Sequence, residues 1–187
     1  MTTPDQQLLI QAQKLEPDAL KALHERFYET VARYIQFKVG NPRIVEDLCG
    51  DVFVRVLEGL QRGRGWRESP QGWIMGIARN VVADFYRRRE RMTEVALNPN
   101  LTSSRQTDPT YHALQNETHR QLKAAIDQLT EEQRDVILMR FMEGVDIKSV
   151  ADAINKSPGA VKGLQYRAMK ALAELMEKES EPRQARG

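Results

Sequence analysis

From Leu20 onward, apolar residues return at intervals of three and four: Leu20, Leu23, Phe27, Val31, Ile35 and Val39. That interval places them on one stripe of an α-helix and does not fit the alternation of a half-buried strand. Gly40-Asn41-Pro42 stops the helix, and Val45, Leu48, Val52, Val56 and Leu60 form the next stripe. A loop rich in glycine and arginine, 61–68, contains Trp66 and leads to a helix start at Ser69-Pro70. Trp73, Ile74, Ile77, Val81 and Phe85 then share a face. The segment 4–15 reads as a short leading helix. Near Met92 the periodicity ends. Pro99, Ser103, Ser104 and Pro109, with several Asn and Thr residues, read as a linker. Fully extended at ~3.3 Å per residue, it could reach ~80 Å, so the parts on either side could occupy separate sites. Helical pattern resumes at Thr118. Thr130 and Gln133 make a capping box for a helix through Val136, Ile137 and Phe141, which Glu143-Gly144 breaks. No strand pattern, repeat or heptad array occurs. The expected fold is all-α: two small helical domains, 1–91 and 118–178, joined by a flexible linker, 92–117, with a polar tail at 179–187.

The second domain carries the densest local signal. Asp146 to Lys162 reads as a short helix, a tight turn and a second helix. Ala151 is small enough for two helix axes to cross closely. Asn155 can take the left-handed conformation of a sharp turn, because its side chain bonds locally. Val161 is placed to plug the gap between the helices. Ser157-Pro158 supplies an N-cap and a proline at the first helical position. These offsets make a helix-turn-helix, whose second helix lies in the DNA major groove. An ordinary helical hairpin fits the same pattern.

Composition narrows the function classes. The chain has 187 residues and a net charge of +2, mild for a protein that grips duplex DNA alone. A DNA-reading motif on a weakly basic chain points to a partner. The single cysteine, Cys49, excludes an internal disulfide and a cysteine-based zinc site. His24, His112 and His119 lack metal-ligand spacing, Cys49 has no evident base partner, and no glycine-rich phosphate loop occurs. The expectation is a protein that is not an enzyme, with no cofactor and no metal. No apolar run approaches the ~20 residues of a membrane helix and no secretory signal opens the chain, which points to the cytoplasm.

Three motifs in order then resemble the extracytoplasmic-function (ECF) sigma factors of the sigma-70 family, over about 20–175. Val45-Glu46-Asp47-Leu48-Cys49-Gly50-Asp51-Val52-Phe53 is similar to the family's polymerase-binding helix. Gly72-Trp73-Ile74-Met75-Gly76-Ile77-Ala78-Arg79-Asn80-Val81-Val82-Ala83-Asp84-Phe85-Tyr86-Arg87-Arg88-Arg89 is similar to its helix for the −10 element. Leu129-Thr130-Glu131-Glu132-Gln133-Arg134 through Ala168 is similar to its −35-reading domain. The resemblance implies a monomer that binds core RNA polymerase and promoter DNA and is held by an anti-sigma factor. It implies polymerase contacts at Asp47, Asp51, Phe53 and Arg55. It implies −10 contacts at Trp73, Arg79, Asn80, Tyr86, Arg87, Arg88 and Arg89, with Asn80 in a loop between helical stretches, where the family holds a flipped base. For the −35 element the candidates are Ser157, Lys162, Gln165, Tyr166, Arg167 and Lys170.

Each motif also has a physical reading. Asp47 and Asp51 lie four apart on one helix face and repel. A basic partner surface relieves that repulsion, and so does a ladder in which Arg43 faces Asp47 and Arg55 faces Asp51. Gly50 replaces a bulkier polar residue and loosens the helix by ~0.5–1 kcal/mol. Trp66, Trp73, Phe85 and Tyr86 beside arginines supply the apolar walls and cations that capture of an unstacked base requires. Asn80 offers a carbonyl and an amide for a base edge. Trp73 fits a core stripe as well as a DNA contact. Phe85 fits the core better, and Tyr86 fits a contact better. The arginines fit either phosphate contacts or a solvated helix end that complements the helix dipole. In the last helix Val161, Leu164, Ala168, Leu172 and Leu175 make the core face. Gly163-Leu164-Gln165 departs from the family's Ser-Arg-Leu, so Gln165 either reads DNA or turns inward. A stand-alone helix-turn-helix regulator remains the alternative, though it leaves the acidic and aromatic-basic helices unexplained. A helical adaptor is the third reading.

Overall fold

The computed structural model describes residues 3–63, 69–95 and 117–180, the ends of three helices (93–95, 117–119 and 179–180) as backbone only. Among them every regular element is helical. Trp66 and most of the linker lie outside the described residues.

The first half comprises α1 (Pro4–Ala12), α2 (Pro17–Val39), α3 (Pro42–Gln61) and α4 (Pro70–Val95). Each boundary has a chemical cause. Thr3 and Gln6 close a capping box on α1, and the Asn41 side chain accepts from the Arg43 and Ile44 amides to start α3. Between α2 and α3, Gly40 turns the chain at φ 82°. The apolar stripes meet in one core, where Val31, Ile35, Val52, Ile74 and Val81 are fully buried. Cys49 belongs to that core, and burial pushes its thiol pKa up to about 11, so it is an unreactive packing residue.

The second half comprises α5 (Glu117–Asp127), α6 (Glu131–Ile137), α7 (Ile147–Ala153) and α8 (Pro158–Ser180). The capping box of Thr130 and Gln133 opens α6, and the Arg134 guanidinium ties the end of α5 by donating to the carbonyls of Ile126, Asp127 and Leu129. Beyond α6 the chain widens into a π-type turn, Leu138–Met142, closed by the Glu143 amide on the Leu138 carbonyl. This turn leaves Phe141 and Met142 exposed, so Phe141 does not continue the buried stripe of Val136 and Ile137. Asn155 takes φ 54°, and the Ser157 hydroxyl accepts from the Ala160 amide. Val161, in the first turn of α8, is fully buried. Replacing it by alanine is expected to destabilise the C-terminal helices by about 2 kcal/mol in urea unfolding, from lost burial and the residual cavity. An unchanged midpoint would mean that Val161 is not the plug.

The two halves meet. α4 packs along α7, and α2 reaches the π-type turn. Bare glycine faces allow the approach: a Cβ at Gly72 would lie 2.4 Å from the Ser149 carbonyl oxygen, and one at Gly76 would lie 3.1 Å from that of Ala153.

Candidate nucleic-acid interface

On α3, Asp47 and Asp51 project into solvent, and among the described residues no ion pair reaches either. The arginine ladder does not form, because Arg55 turns to α4 and pairs with Asp84 at 2.8 Å. The Arg55 hydrogen bond and charge hold the Asp84 carboxyl below its ordinary range, aided by Arg87. Arg55 therefore ties two helices together instead of standing free on the acidic face. Phe53 is half-buried beside two α2 rings, His24 at 4.6 Å and Tyr28 at 6.2 Å between centroids. His24 and Tyr28 were not singled out from sequence as contacts. Their signal is an i,i+4 aromatic pair lying off the apolar stripe of α2. With exposed Val54 they give the acidic face an apolar neighbour.

On α4, Asn80 does not sit in a loop. Ile74, Ala78, Val81 and Val82 keep one unbroken buried stripe through it, so the helix continues and Asn80 points outward as an exposed side chain. Trp73 is half-buried. Tyr86, expected as a contact, is half-buried; its hydroxyl donates to the Lys38 carbonyl at 2.6 Å and its ring meets Phe85 edge-on. Arg87, Arg88 and Arg89 are exposed; Arg87 also pairs with Asp84, and Arg88 donates to the Asp84 carbonyl.

Arg79 has a partner that the sequence did not indicate. Its Nε lies 2.7 Å from Oδ2 of Asp135, on α6. Oδ1 of the same carboxylate accepts from the Tyr34 hydroxyl at 2.8 Å and from Lys38 Nζ at 2.5 Å. The Asp135 side chain has no exposed surface, and three donors surround it, as a buried carboxylate requires. Burial and the neighbouring carboxylate push the Tyr34 phenol well above its ordinary value and keep it a donor. Burial opposes the Arg79 charge, but the Asp135 hydrogen bond and charge outweigh it and raise the guanidinium pKa. Beside this cluster lies a cleft of ≈ 340 Å³. Trp73, Arg79 and Asn80 form one wall, with Asp152, Ile154 and Asn155 on the other.

On α8 the core face is as expected: Val161, Leu164, Ala168 and Leu172 are buried and Leu175 is half-buried. Lys162, Tyr166, Arg167 and Lys170 are exposed on the other side, Tyr166 at 73% of its surface. Lys170 faces Glu174 at 4.0 Å. Ser157 acts as the N-cap and remains exposed at the helix start. Gln165 is half-buried, and its side-chain oxygen accepts from Arg140 at 3.5 Å, while Arg140 also donates to the Val145 carbonyl. It borders the exposed face and leans on the turn.

Comparison with known proteins agrees with this layout. Residues 23–92 match the family described as Sigma-70 region 2, and residues 119–172 match Sigma-70, region 4. The ECF RNA polymerase sigma factor BldN of Streptomyces coelicolor is 31% identical over 171 residues, spanning 91% of this chain and 65% of BldN. The ECF RNA polymerase sigma factor SigX of Bacillus subtilis is 30% identical over 165 residues, spanning 86% of this chain and 84% of SigX. In fold the chain is similar to CnrH, solved in complex with the cytosolic domain of CnrY, with a TM-score of 0.68 at 22% identity over 94% of this chain and 99% of that one. It is also similar to the sigma factor RpoE of Bartonella quintana, solved with the anti-sigma factor NepR, with a TM-score of 0.66 at 19% identity over 84% of this chain and 96% of that one. The chain belongs to the sigma-70 family, among its ECF RNA polymerase sigma factors, and is a promoter-specific transcription initiation factor.

Proposed function

We propose that this chain docks on core RNA polymerase through the outer face of α3, captures the melted −10 strand with α4, and reads the −35 duplex with α8. The observation that carries this reading is the order of three surfaces on one chain. These are exposed carboxylates at Asp47 and Asp51, an outward Asn80 flanked by Trp73 and Arg79, and a helix-turn-helix with Lys162, Tyr166 and Arg167 exposed. A basic polymerase surface relieves the repulsion on α3, with Phe53 and its aromatic neighbours as the apolar contact. On α4, Trp73 supplies a stacking wall, Asn80 the base-edge hydrogen bonds, and Arg79, Arg87, Arg88 and Arg89 cations for the backbone. On α8, Lys162, Arg167 and Lys170 suit phosphates or guanine, Gln165 and Tyr166 base edges, and the Ser157 helix start a phosphate. The linker joins the halves while they occupy separate elements. An anti-sigma factor is the regulatory partner in this reading, and the cytoplasm, where polymerase acts, is the compartment. No described helix is long and apolar enough to cross a membrane.

The experiment is promoter binding by reconstituted holoenzyme as a function of salt. Lys162→Ala with Arg167→Ala should weaken binding and reduce the slope of log K against log salt by about 1.8, for two lost phosphate contacts. An unaltered slope would remove these residues from the DNA interface and favour a protein-interaction role for α8.

A further inference from the structure

Trp73, Asn80 and Arg87 recur at intervals of seven on α4, so they lie along one line of the helix, with Asp84 between the last two. Asp84 is where arginines from two helices gather. Its Oδ2 accepts from Nη1 of Arg55 on α3 at 2.8 Å, and its Oδ1 accepts from Nη2 of Arg87. Arg88 and Arg91 bond instead to backbone carbonyls, those of Asp84 and Arg87, at 3.4 Å each. Partial burial opposes the Asp84 charge, but the Arg55 hydrogen bond first, and Arg87 after it, hold the carboxyl below its ordinary range.

A carboxylate on a strand-binding helix repels phosphate, so its presence there needs a physical reason. Two guanidinium groups share this one carboxylate, which leaves the cluster with a net positive charge. The Arg87 guanidinium carries five N–H donors and its side chain is 63% exposed, so bonding Asp84 leaves most of them facing solvent. What the bond removes is freedom. An untethered arginine samples many rotamers, whereas the tie draws this one back along α4, toward Asn80. Arg55 in turn fixes the carboxylate against α3. We propose that Asp84 is a positioning residue for −10 strand capture: anchored to α3 through Arg55, it holds the Arg87 guanidinium ready for a phosphate beside the base at Asn80. The assignment rests on α4 being the strand-capture helix.

The test uses holoenzyme reconstituted at saturating core polymerase, scored by heparin-resistant open complexes on one promoter. Arg87→Ala should lower open-complex formation about tenfold, for one charge-assisted contact. Asp84→Ala should lower it about three- to fivefold, the span of an exposed ion pair, and the double variant no further than Arg87→Ala alone. Net charge by itself predicts the opposite sign: loss of a carboxylate should tighten binding to random-sequence duplex even as open complexes fall. Arg55→Asp combined with Asp84→Arg reverses the pair between α3 and α4 and leaves Arg87 beside a cation. Its urea midpoint should match the parent's, while open-complex formation should stay as low as in Asp84→Ala. Recovery of open complexes by that exchange would reduce Asp84 to a tie between helices and overturn the positioning role. Undiminished open complexes in Asp84→Ala, or losses that add in the double variant, would overturn it as well. No loss in Arg87→Ala would instead remove Arg87 from the strand interface, and the positioning role with it.

Discussion

Reversing both carboxylates on α3, Asp47→Arg with Asp51→Arg, should weaken binding to core RNA polymerase by at least about a hundredfold. Like charges brought face to face across an interface cost several kcal/mol, and each tenfold loss corresponds to about 1.4 kcal/mol. The fold should survive the change, because both side chains are exposed and no ion pair among the described residues depends on them. The single reversals should each lose less than the double one. A pull-down or titration with labelled core checks this, with circular dichroism as the folding control. Undiminished affinity would remove the acidic face from the interface and transfer the docking role to the aromatic group of His24, Tyr28 and Phe53.

Asn80→Ala should leave polymerase affinity unchanged while reducing open-complex formation by about 10- to 100-fold. A base-edge contact carries roughly 1–3 kcal/mol of recognition, and alanine removes both its donor and its acceptor. The side chain is exposed, so the substitution leaves no cavity, and alanine favours the helix that surrounds it. Permanganate footprinting of melted thymines, alongside a core-binding titration, separates the two effects. Equal loss in both measurements would mean that Asn80 supports docking and not strand capture.

What sequence could reveal here divides by distance along the chain. Helix stripes, capping boxes and the helix-turn-helix turn are local. Thr130 with Gln133, Asn155 at φ 54° and Val161 in the core follow from residues a few positions apart. The core face of α8 was legible for the same reason. Asn80 was misplaced because the expectation of a loop came from resemblance, while the local stripe of Ala78, Val81 and Val82 already favoured a continuous helix. Tyr86 and Arg55 have tertiary partners that no local pattern reveals: a carbonyl on α2 for the first, and Asp84 on α4 for the second. The Asp135 cluster lies furthest from sequence logic. Tyr34 and Asp135 are 101 positions apart, and Arg79 and Asp135 are 56 apart, across the linker. Tyr34 and Lys38 sit i,i+4 on the flank of α2's apolar stripe. That pairing is a signal only once a second helix is known to lie there.

Reconstituted run-off transcription tests most directly whether the chain acts as an initiation factor. Purified core polymerase, with and without the chain, is supplied with sheared genomic DNA from the source organism, and the 5′ ends of the transcripts are mapped. The predicted result is a small set of discrete start sites that require both components, share two spaced upstream elements, and vanish with Asp47→Arg and Asp51→Arg together. A chain that binds core polymerase yet produces no component-dependent start sites, or one that binds promoter duplex without binding core, would contradict it.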